Sequence, residues 1–265
     1  MPEPATTRRA RPGGAAGTAH EWEIRRFASI DSTNRYLLDV ARAGAPDGVV
    51  AVADHQTAGR GRLGRVWEAT PGSALLVSVL LRPSLGPDGI GLVTMATGLA
   101  LADAVLEVAG VTAGLKWPND LVVHDRKLAG LLAEAELGPG VVRAVVVGVG
   151  CNLVAAAIPP ELADIATACD VEAGRPVDPD ALLDAFLDAL GARLDDHTAL
   201  VAAYRERSAT LGRRVRVDVG GGRVVEGDAV AVGSTGTLVV RDDDGEEIPV
   251  SVGDVVHLRL ASDEA

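Results

Sequence analysis

A glycine- and arginine-rich segment is the densest concentration of chemically useful residues in the chain. It reads Gly59-Arg60-Gly61-Arg62-Leu63-Gly64-Arg65-Val66-Trp67. Glycines let a ligand approach the backbone, and arginines present planar donor groups to phosphates or carboxylates. The segment contains G-x-G-x-x-G, but it does not open the apolar helix of a dinucleotide-binding turn, and it lacks the Lys and Ser/Thr of a P-loop. A solvated basic loop, or an arginine-glycine tether for nucleic acid, remains an alternative.

Lysine occurs at two positions, Lys116 and Lys127, and arginine supplies the other positively charged side chains. Lys116 begins Lys-Trp-Pro-Asn-Asp, and Lys127 begins Lys-Leu-Ala-Gly. This selective use predicts that both sites need a compact ammonium group, which can follow a phosphoryl or carboxylate oxygen as charge moves. Two ordinary surface lysines are the alternative interpretation.

A third motif, Gly148-Val149-Gly150-Cys151-Asn152, ends a strand of valines. Glycines at a strand end let a ligand lie against the backbone, and the amide of Asn152 can both donate to and accept from the edge of a heterocycle. A strand end followed by a turn-forming asparagine explains the same residues without a ligand.

Hydrophobic periodicity predicts the elements that must position these motifs. Strands are expected near residues 22–30, 49–56 and 73–83, and as a series of short strands from 113 to 153, with a helix after the capping residues 31–34 and a long apolar helix over about 90–109. A further helical region is expected between 179 and 211. Strand runs with helices set between them favour an α+β fold whose mixed or antiparallel sheet is backed by helices on one side.

The chain is expected to divide into three segments. Residues 1–19 mix Pro, Gly, Ala and three arginines without apolar periodicity, so they predict a disordered lead-in that is too short for a helix-turn-helix domain. Residues 20–211 form the main domain, which would carry the three motifs. Residues 212–265 contain short strands with Gly or Asp turns, which is typical of a small β-barrel.

Composition excludes several classes of protein. The 265 residues carry a formal net charge of −12, which opposes broad binding to nucleic acid or anionic lipid. Apolar stretches such as 74–81 are well short of the roughly 20 residues of a membrane helix. Two cysteines are too few for a disulfide framework and fit a reduced cytoplasm, and the five histidines lack metal-ligand spacing. We therefore expect a cytoplasmic protein without a nucleic-acid partner, a membrane span or a protein-built metal site.

The three motifs, with Asp31-Ser32-Thr33-Asn34 upstream and His55-Gln56 just before the loop, resemble the biotin protein ligase family. The resemblance covers about residues 21–152, and the β-rich C terminus resembles the family's small SH3-like domain. It implies a mixed β-sheet flanked by helices, related to class II aminoacyl-tRNA synthetases. It also implies an ATP-dependent ligase (EC 6.3.4.15) that activates biotin as biotinyl-5′-AMP, releases pyrophosphate and transfers biotin to a lysine of a biotin carboxyl carrier protein.

The resemblance also implies a role for each matching residue. Lys116 and Arg62 would be the catalytic residues. Biotin would be bound by Ser32, Thr33, Gln56, Gly59, Arg60, Lys116, Leu121, Gly130, Gly148 and Gly150. ATP and the adenylate would be bound by Arg62, Arg65, Trp67, Lys116, Asn119, Lys127 and Asn152. Magnesium would be carried mainly by the phosphates, because the sequence offers no obvious cage of protein ligands.

Two other functions remain as alternatives. A lipoate-protein ligase shares this fold and the adenylation step, but its acid lacks the ureido ring that Ser32, Thr33 and Gln56 would bind. An RNA-binding module using the arginine-glycine loop is disfavoured by the net charge. No repressor function is expected, and both a monomer and a homodimer are compatible with the sequence.

Overall fold

The computed structural model describes residues 4–10, 21–84, 86, 89–155, 158–194, 197–251 and 253–257. The helices are α1 Thr33–Arg42, α2 Ile90–Ala109, α3 Cys169–Ala173, α4 Pro179–Arg193 and α5 His197–Glu206. The strands are β1 Ala5–Ala10, β2 Glu21–Phe27, β3 Val49–Ala53, β4 Ala74–Leu81, β5 Gly114–Lys116, β6 Asp120–Val123, β7 Arg126–Gly138, β8 Val141–Asn152, β9 Arg214–Gly220, β10 Arg223–Val232, β11 Leu238–Arg241, β12 Glu247–Val250 and β13 Asp254–His257.

Eight strands form one mixed sheet in the order β1-β2-β3-β4-β8-β7-β6-β5. β2 and β3 run parallel, and the other neighbouring pairs run antiparallel. β3 and β4 are buried along their whole length, which explains their continuous runs of Val, Leu and Ala. This confirms the predicted α+β fold with a mixed β-sheet.

The expected disordered lead-in is wrong for part of its length. Residues 5–10 form β1, which pairs antiparallel with β2: Ala5 lies opposite Arg26 at one end, and Ala10 lies opposite Glu21 at the other. Arg9 also binds Asp184 and Asp188 of α4. Backbone hydrogen bonds and these ion pairs hold the strand without an apolar face, so hydrophobic periodicity gave no signal for it. Residues 1–3 and 11–20 lie outside the described residues.

Helices cover both faces of the sheet, which corrects the expectation of helices on one side. α2 and α4 pack on the face that carries residues such as Val77, Val147 and Val149. α1 packs on the other face, against Ala51, Leu80 and Val146. Because α1 is only ten residues long, it covers only part of this face of the sheet. The uncovered part, next to the first turn of α1, forms a cleft.

α2 is the described helix that is long and apolar enough to cross a membrane by length and composition. In the molecule, however, 72% of its apolar window is buried. Leu99, Leu101 and Val105 belong to the main hydrophobic core. α2 is therefore built as the central core helix of this fold.

The last five strands form a separate antiparallel sheet in the order β12-β11-β10-β9-β13. Its inward side chains, including Val215, Val217 and Leu238, join the same hydrophobic core as α2. The Trp117 indole donates to the Gly236 carbonyl at 2.8 Å, and the Trp117 amide donates to Thr210 Oγ1 at 2.9 Å. These bonds fix the smaller sheet against the strand end that carries Lys116.

Two leucines of α2 test the packing of this core. Leu99 is fully buried and Leu106 is 45% exposed. We expect Leu99→Ala to lower the free energy of unfolding by about 2–5 kcal/mol, because it removes buried surface and leaves a cavity. Leu106→Ala should lower it by less than about 1 kcal/mol. Urea denaturation measures both, and equal losses would contradict the packing.

Candidate active site

A cleft of about 500 Å³ lies on the α1 face of the large sheet and reaches the smaller sheet. It brings together most of the residues that the sequence singled out. The predicted site residues that line it are Ser32, Thr33, Gln56, Arg60, Arg62, Arg65, Trp67, Lys116, Asn119, Lys127, Gly130, Gly148 and Gly150.

Three predicted site residues do not line the cleft. Leu121 is fully buried in the core, and Gly59 is buried at the base of the loop. An added Cβ on Gly59 would lie 2.3 Å from the Trp67 carbonyl oxygen, so this glycine allows the two sides of the loop to meet. Asn152 lies at the end of β8, where its side-chain amide donates to the Thr167 carbonyl at 3.0 Å.

One end of the cleft is a cluster of buried polar groups at the start of α1. The Thr33 amide donates to Gln56 Oε1 at 2.8 Å, and the Thr33 hydroxyl donates to the same oxygen at 3.1 Å. Ser78 Oγ lies 2.7 Å from Thr33 Oγ1, and Ser32 caps the helix. These groups are prepositioned to bind a compact polar ring at a helix N-terminus.

The floor of the cleft consists of glycines on β7 and β8. An added Cβ on Gly150 would lie 2.4 Å from Trp67 Cε2, and one on Gly130 would lie 3.2 Å from Trp67 Cζ3. The indole therefore lies directly on the strand backbone, which only glycine permits here. Trp67 Nε1 is buried and has no hydrogen-bond partner among the described residues. Such a donor is available to a ligand.

The arginine-glycine segment is an ordered loop whose two sides pair with each other. The Trp67 amide donates to the Gly59 carbonyl at 3.0 Å, and the Gly61 amide donates to the Arg65 carbonyl at 2.7 Å. Leu63 at the tip and Val66 near the base are largely exposed. The pairing places Trp67 over the glycine floor and directs the arginines to either side.

Two loop arginines bind the smaller sheet. Arg62 donates to Asn119 Oδ1 and to the Gly253 carbonyl, both at 3.1 Å, and lies 3.8 Å from Asp254. Arg65 forms an ion pair with the same carboxylate. Burial lowers the pKa of the Arg62 guanidinium from its usual value, and Asp254 partly offsets that effect. Both guanidinium groups are thus held together around one anion.

The two lysines, Lys116 of β5 and Lys127 of β7, also line the cleft. Lys127 Nζ lies 2.8 Å from Asp120 Oδ1 and 5.7 Å from the centre of the Trp67 ring. Lys116, at the end of β5, has no ion pair or hydrogen bond of its ammonium group within the described parts of the chain. It is therefore the cation most available to an incoming anion.

Sequence reasoning missed several residues that shape the site. Asp254 lies 189 positions from Arg65, and Glu134 lies 74 positions from Arg60. At such separations, the spacing of residues in the sequence does not reveal the ion pairs. Ser78 and Asn34 form a buried polar pair, with Ser78 donating to Asn34 Oδ1 at 2.6 Å. A lone serine within the apolar strand β4 was the one available signal for that pair.

The described residues contain no group of three His, Cys, Asp or Glu side chains placed to bind a metal ion. The cleft carboxylates Asp120 and Asp254 are already paired with cations. A divalent cation bound in the cleft would therefore need ligands other than these carboxylates.

Comparison with known proteins identifies the class of protein to which this cleft belongs. A model of the biotin/lipoate A/B protein ligase family matches residues 26–152, and a model of the biotin protein ligase C-terminal domain matches residues 210–258. The structure is similar to a biotin protein ligase from Aquifex aeolicus in complex with biotin and ATP, with a TM-score of 0.76 and 26% identity over 89% of this chain and 99% of that one.

Two relatives narrow the class further. The biotin--[acetyl-CoA-carboxylase] ligase of Mycobacterium tuberculosis is 42% identical over 88% of each chain. The bifunctional ligase/repressor BirA of Bacillus subtilis is 30% identical over 82% of this chain and 68% of its own length. The chain belongs to the biotin protein ligase family.

Gly150 tests the contact between the floor and the indole. We expect Gly150→Ala to displace Trp67, because the new Cβ would overlap the ring. Acrylamide should then quench tryptophan fluorescence more strongly, since Trp22 and Trp117 are buried in the core. Gly86→Ala is the control, because nothing lies within 4 Å of its added Cβ. Equal quenching in both variants would show that the ring does not rest on Gly150.

His257 predicts a pH dependence of stability next to Lys116. Burial, with the nearby charges of Lys116 and Arg213, lowers the pKa of His257 to about 4. The unfolded chain therefore binds a proton more readily between pH 6.5 and 4, so this histidine destabilises the fold as the pH falls through that range. Between pH 7 and 4.5, the free energy of unfolding should therefore fall by about 2 kcal/mol less in His257→Gln than in the wild type.

Urea denaturation at the two pH values measures this difference. His124→Gln is the matched control, because the His124 side chain is 81% exposed. It should keep the pH dependence of the wild type. If the stability of His257→Gln depends on pH as strongly as that of the wild type, the buried, neutral state of His257 is contradicted.

Proposed function

We propose that this protein is an ATP-dependent ligase that activates biotin as biotinyl-5′-AMP and then transfers it to a lysine of a biotin carboxyl carrier protein. The observation that carries the proposal is the position of Trp67 on the floor formed by Gly130 and Gly150. The indole lies over Gly150 of β8, one position on the same strand face from Gly148, which faces Asn34 at the polar end, and beside Lys127 on its other side. Asn152 follows next on that face of β8, outside the lining of the cleft. The polar end and the end near Lys127 suit the two parts of an acyl-adenylate.

The polar end is the biotin subsite. Ser32, Thr33 and Gln56 bind the ureido ring through their hydroxyl and amide groups, and the backbone near Gly59 and Arg60 closes over it. Gly148 and Gly150 make room for Asn34 and for the Trp67 indole, which form the wall along which the rest of the molecule lies. Leu121 is buried in the core and supports the strand beneath. Ser32 and Thr33 are buried, and an acid without a polar ring offers their hydroxyl groups no hydrogen-bond partner, which favours biotin over lipoate.

The other end is the nucleotide subsite. Asn152 reads the adenine edge, and Trp67 covers the ring. Arg62, Arg65 and Lys127 bind phosphate oxygens, and Asn119 holds Arg62 in position at 3.1 Å. Each of these cations now binds a carboxylate of the protein, so phosphates replace anions that are already present rather than water alone.

The first half-reaction joins two anions, and its main obstacle is their repulsion. Lys116 contacts both the biotin carboxylate and the α-phosphate, while Arg62 stabilises the charge that develops on the phosphate. When bound, Mg²⁺ supplies further charge neutralisation on the phosphate oxygens. In the second half-reaction, the amine of the acceptor lysine attacks the acyl carbon and gives up a proton. The bond between the acyl carbon and the bridging oxygen breaks, and AMP leaves with that oxygen, which came from the biotin carboxylate.

The partner and compartment follow from this chemistry. The acceptor is a carrier protein or domain of a biotin-dependent carboxylase, which places the enzyme in the cytoplasm. RNA binding is disfavoured by the formal net charge of −12, which opposes binding to a long phosphate backbone.

Pyrophosphate release tests the proposed activity. We expect release with MgATP and biotin, and release at least about a hundredfold slower with lipoate. Lys116→Ala and Arg62→Ala should each lower kcat about a hundredfold, because each removes a cation that stabilises the transition state. Arg241→Ala, which changes an exposed arginine of the smaller sheet, is the matched control and should retain full activity.

The outcomes separate the function from the assignment of residues. Equal or faster release with lipoate would overturn the choice of biotin. Biotin-dependent release that survives in both Lys116→Ala and Arg62→Ala would show that the family assignment holds but the catalytic residues are wrong.

A further inference from the structure

Glu134 lies beside the cleft, in contact with the lining residues Asn34 and Arg60, and has no part in the substrate binding or catalysis proposed above. It lies on β7 on the same face as Gly130, because side chains alternate along a strand. Its two oxygens bind different elements. Asn34 of α1 donates to Oε2 at 2.9 Å, and Arg60 of the loop donates to Oε1 at 2.8 Å. The side chain is 20% exposed, so solvent screens these bonds only in part.

The Asn34 end of this bridge is rigid. Asn34 is buried, and its amide also donates to the Leu132 carbonyl at 3.0 Å. It fits only because the facing residue is Gly148, where an added Cβ would lie 2.3 Å from Asn34 Oδ1. Ser78 links Asn34 to Thr33, in the polar end of the cleft. Glu134 is thus fixed relative to the proposed ureido subsite.

The Arg60 end of the bridge controls the loop. Arg60 pairs with Val66 across the base of the loop, next to the bond between the Gly59 carbonyl and the Trp67 amide. The other two loop arginines bind Asp254 of the smaller sheet. The loop arginines therefore bind Glu134, Asn119 and the smaller sheet, and the Glu134 attachment is the one nearest to the residues that pair with Trp67.

We propose that Glu134 is a positioning residue that fixes the loop over the biotin end of the cleft, by binding Arg60 with one oxygen and Asn34 with the other. The inference rests on the proposed function of the cleft for its substrate, but the attachment itself is independent of activity. Loss of the attachment should weaken biotin binding more than ATP binding, because Arg62, Arg65 and Lys127 do not contact Glu134.

Four variants test the role of Glu134: Glu134→Gln, Arg60→Gln, their double variant, and Glu136→Gln. The last changes the same residue type two positions further along β7 and serves as the matched control. Hydrogen exchange of residues 59–67 in the ligand-free protein measures the attachment. Steady-state pyrophosphate release gives KM for biotin at saturating ATP and KM for ATP at saturating biotin.

We expect Glu134→Gln and Arg60→Gln each to accelerate loop exchange about tenfold and to raise KM for biotin about tenfold, because a hydrogen bond between charged groups is lost. KM for ATP and the melting temperature should stay close to those of the wild type. The double variant should lose no more than either single variant, since both remove the same interaction. Glu136→Gln should match the wild type in each measurement.

Several results would overturn the role of Glu134. They are unchanged loop exchange in Glu134→Gln, additive losses in the double variant, or equal increases in both KM values with a lower melting temperature. If the wild type releases no pyrophosphate with biotin, the proposed function fails, while the exchange measurement still decides whether Glu134 anchors the loop.

Discussion

The site depends on one close contact, that of the Trp67 indole with the backbone of β7 and β8. A side chain at Gly150 would occupy the space of the ring, and Gly130 meets the same ring from the next strand. Because protein interiors are close-packed, such a contact does not accommodate an added side-chain atom. The glycines therefore have a structural role that needs no ligand, because they make room for the indole at the floor of the cleft.

A balance of charges surrounds that contact. Arg62 and Arg65 share Asp254, Lys127 binds Asp120, and carboxylates thus hold cations in place before an anionic substrate arrives. Preorganised charge costs less reorganisation when negative charge develops than flexible side chains would. These two carboxylates come from β13 of the smaller sheet and β6 of the large sheet, so the smaller sheet is part of the site.

The sequence predicted the motifs well because they are local. Glycines that alternate along a strand, a basic loop and two lysines can be recognised from spacing alone, and their convergence in one cleft follows from adjacent strands. The partners Glu134 and Asp254 could not be recognised, since they are ordinary acidic residues until folding brings them to Arg60 and Arg65. β1 escaped prediction because backbone pairing holds it, and the place of α1 on the second face depends on tertiary packing that periodicity does not encode.

A crystal structure with biotin and a non-hydrolysable ATP analogue tests the central claim most directly. The account predicts that the ureido ring binds between Ser32, Thr33 and Gln56, that the adenine lies near Asn152 and Lys127, and that the Trp67 indole separates the two. It also predicts that the phosphates contact Arg62 and Arg65 in place of Asp254. Both ligands on one side of Trp67, or a nucleotide bound outside the cleft, would contradict the account.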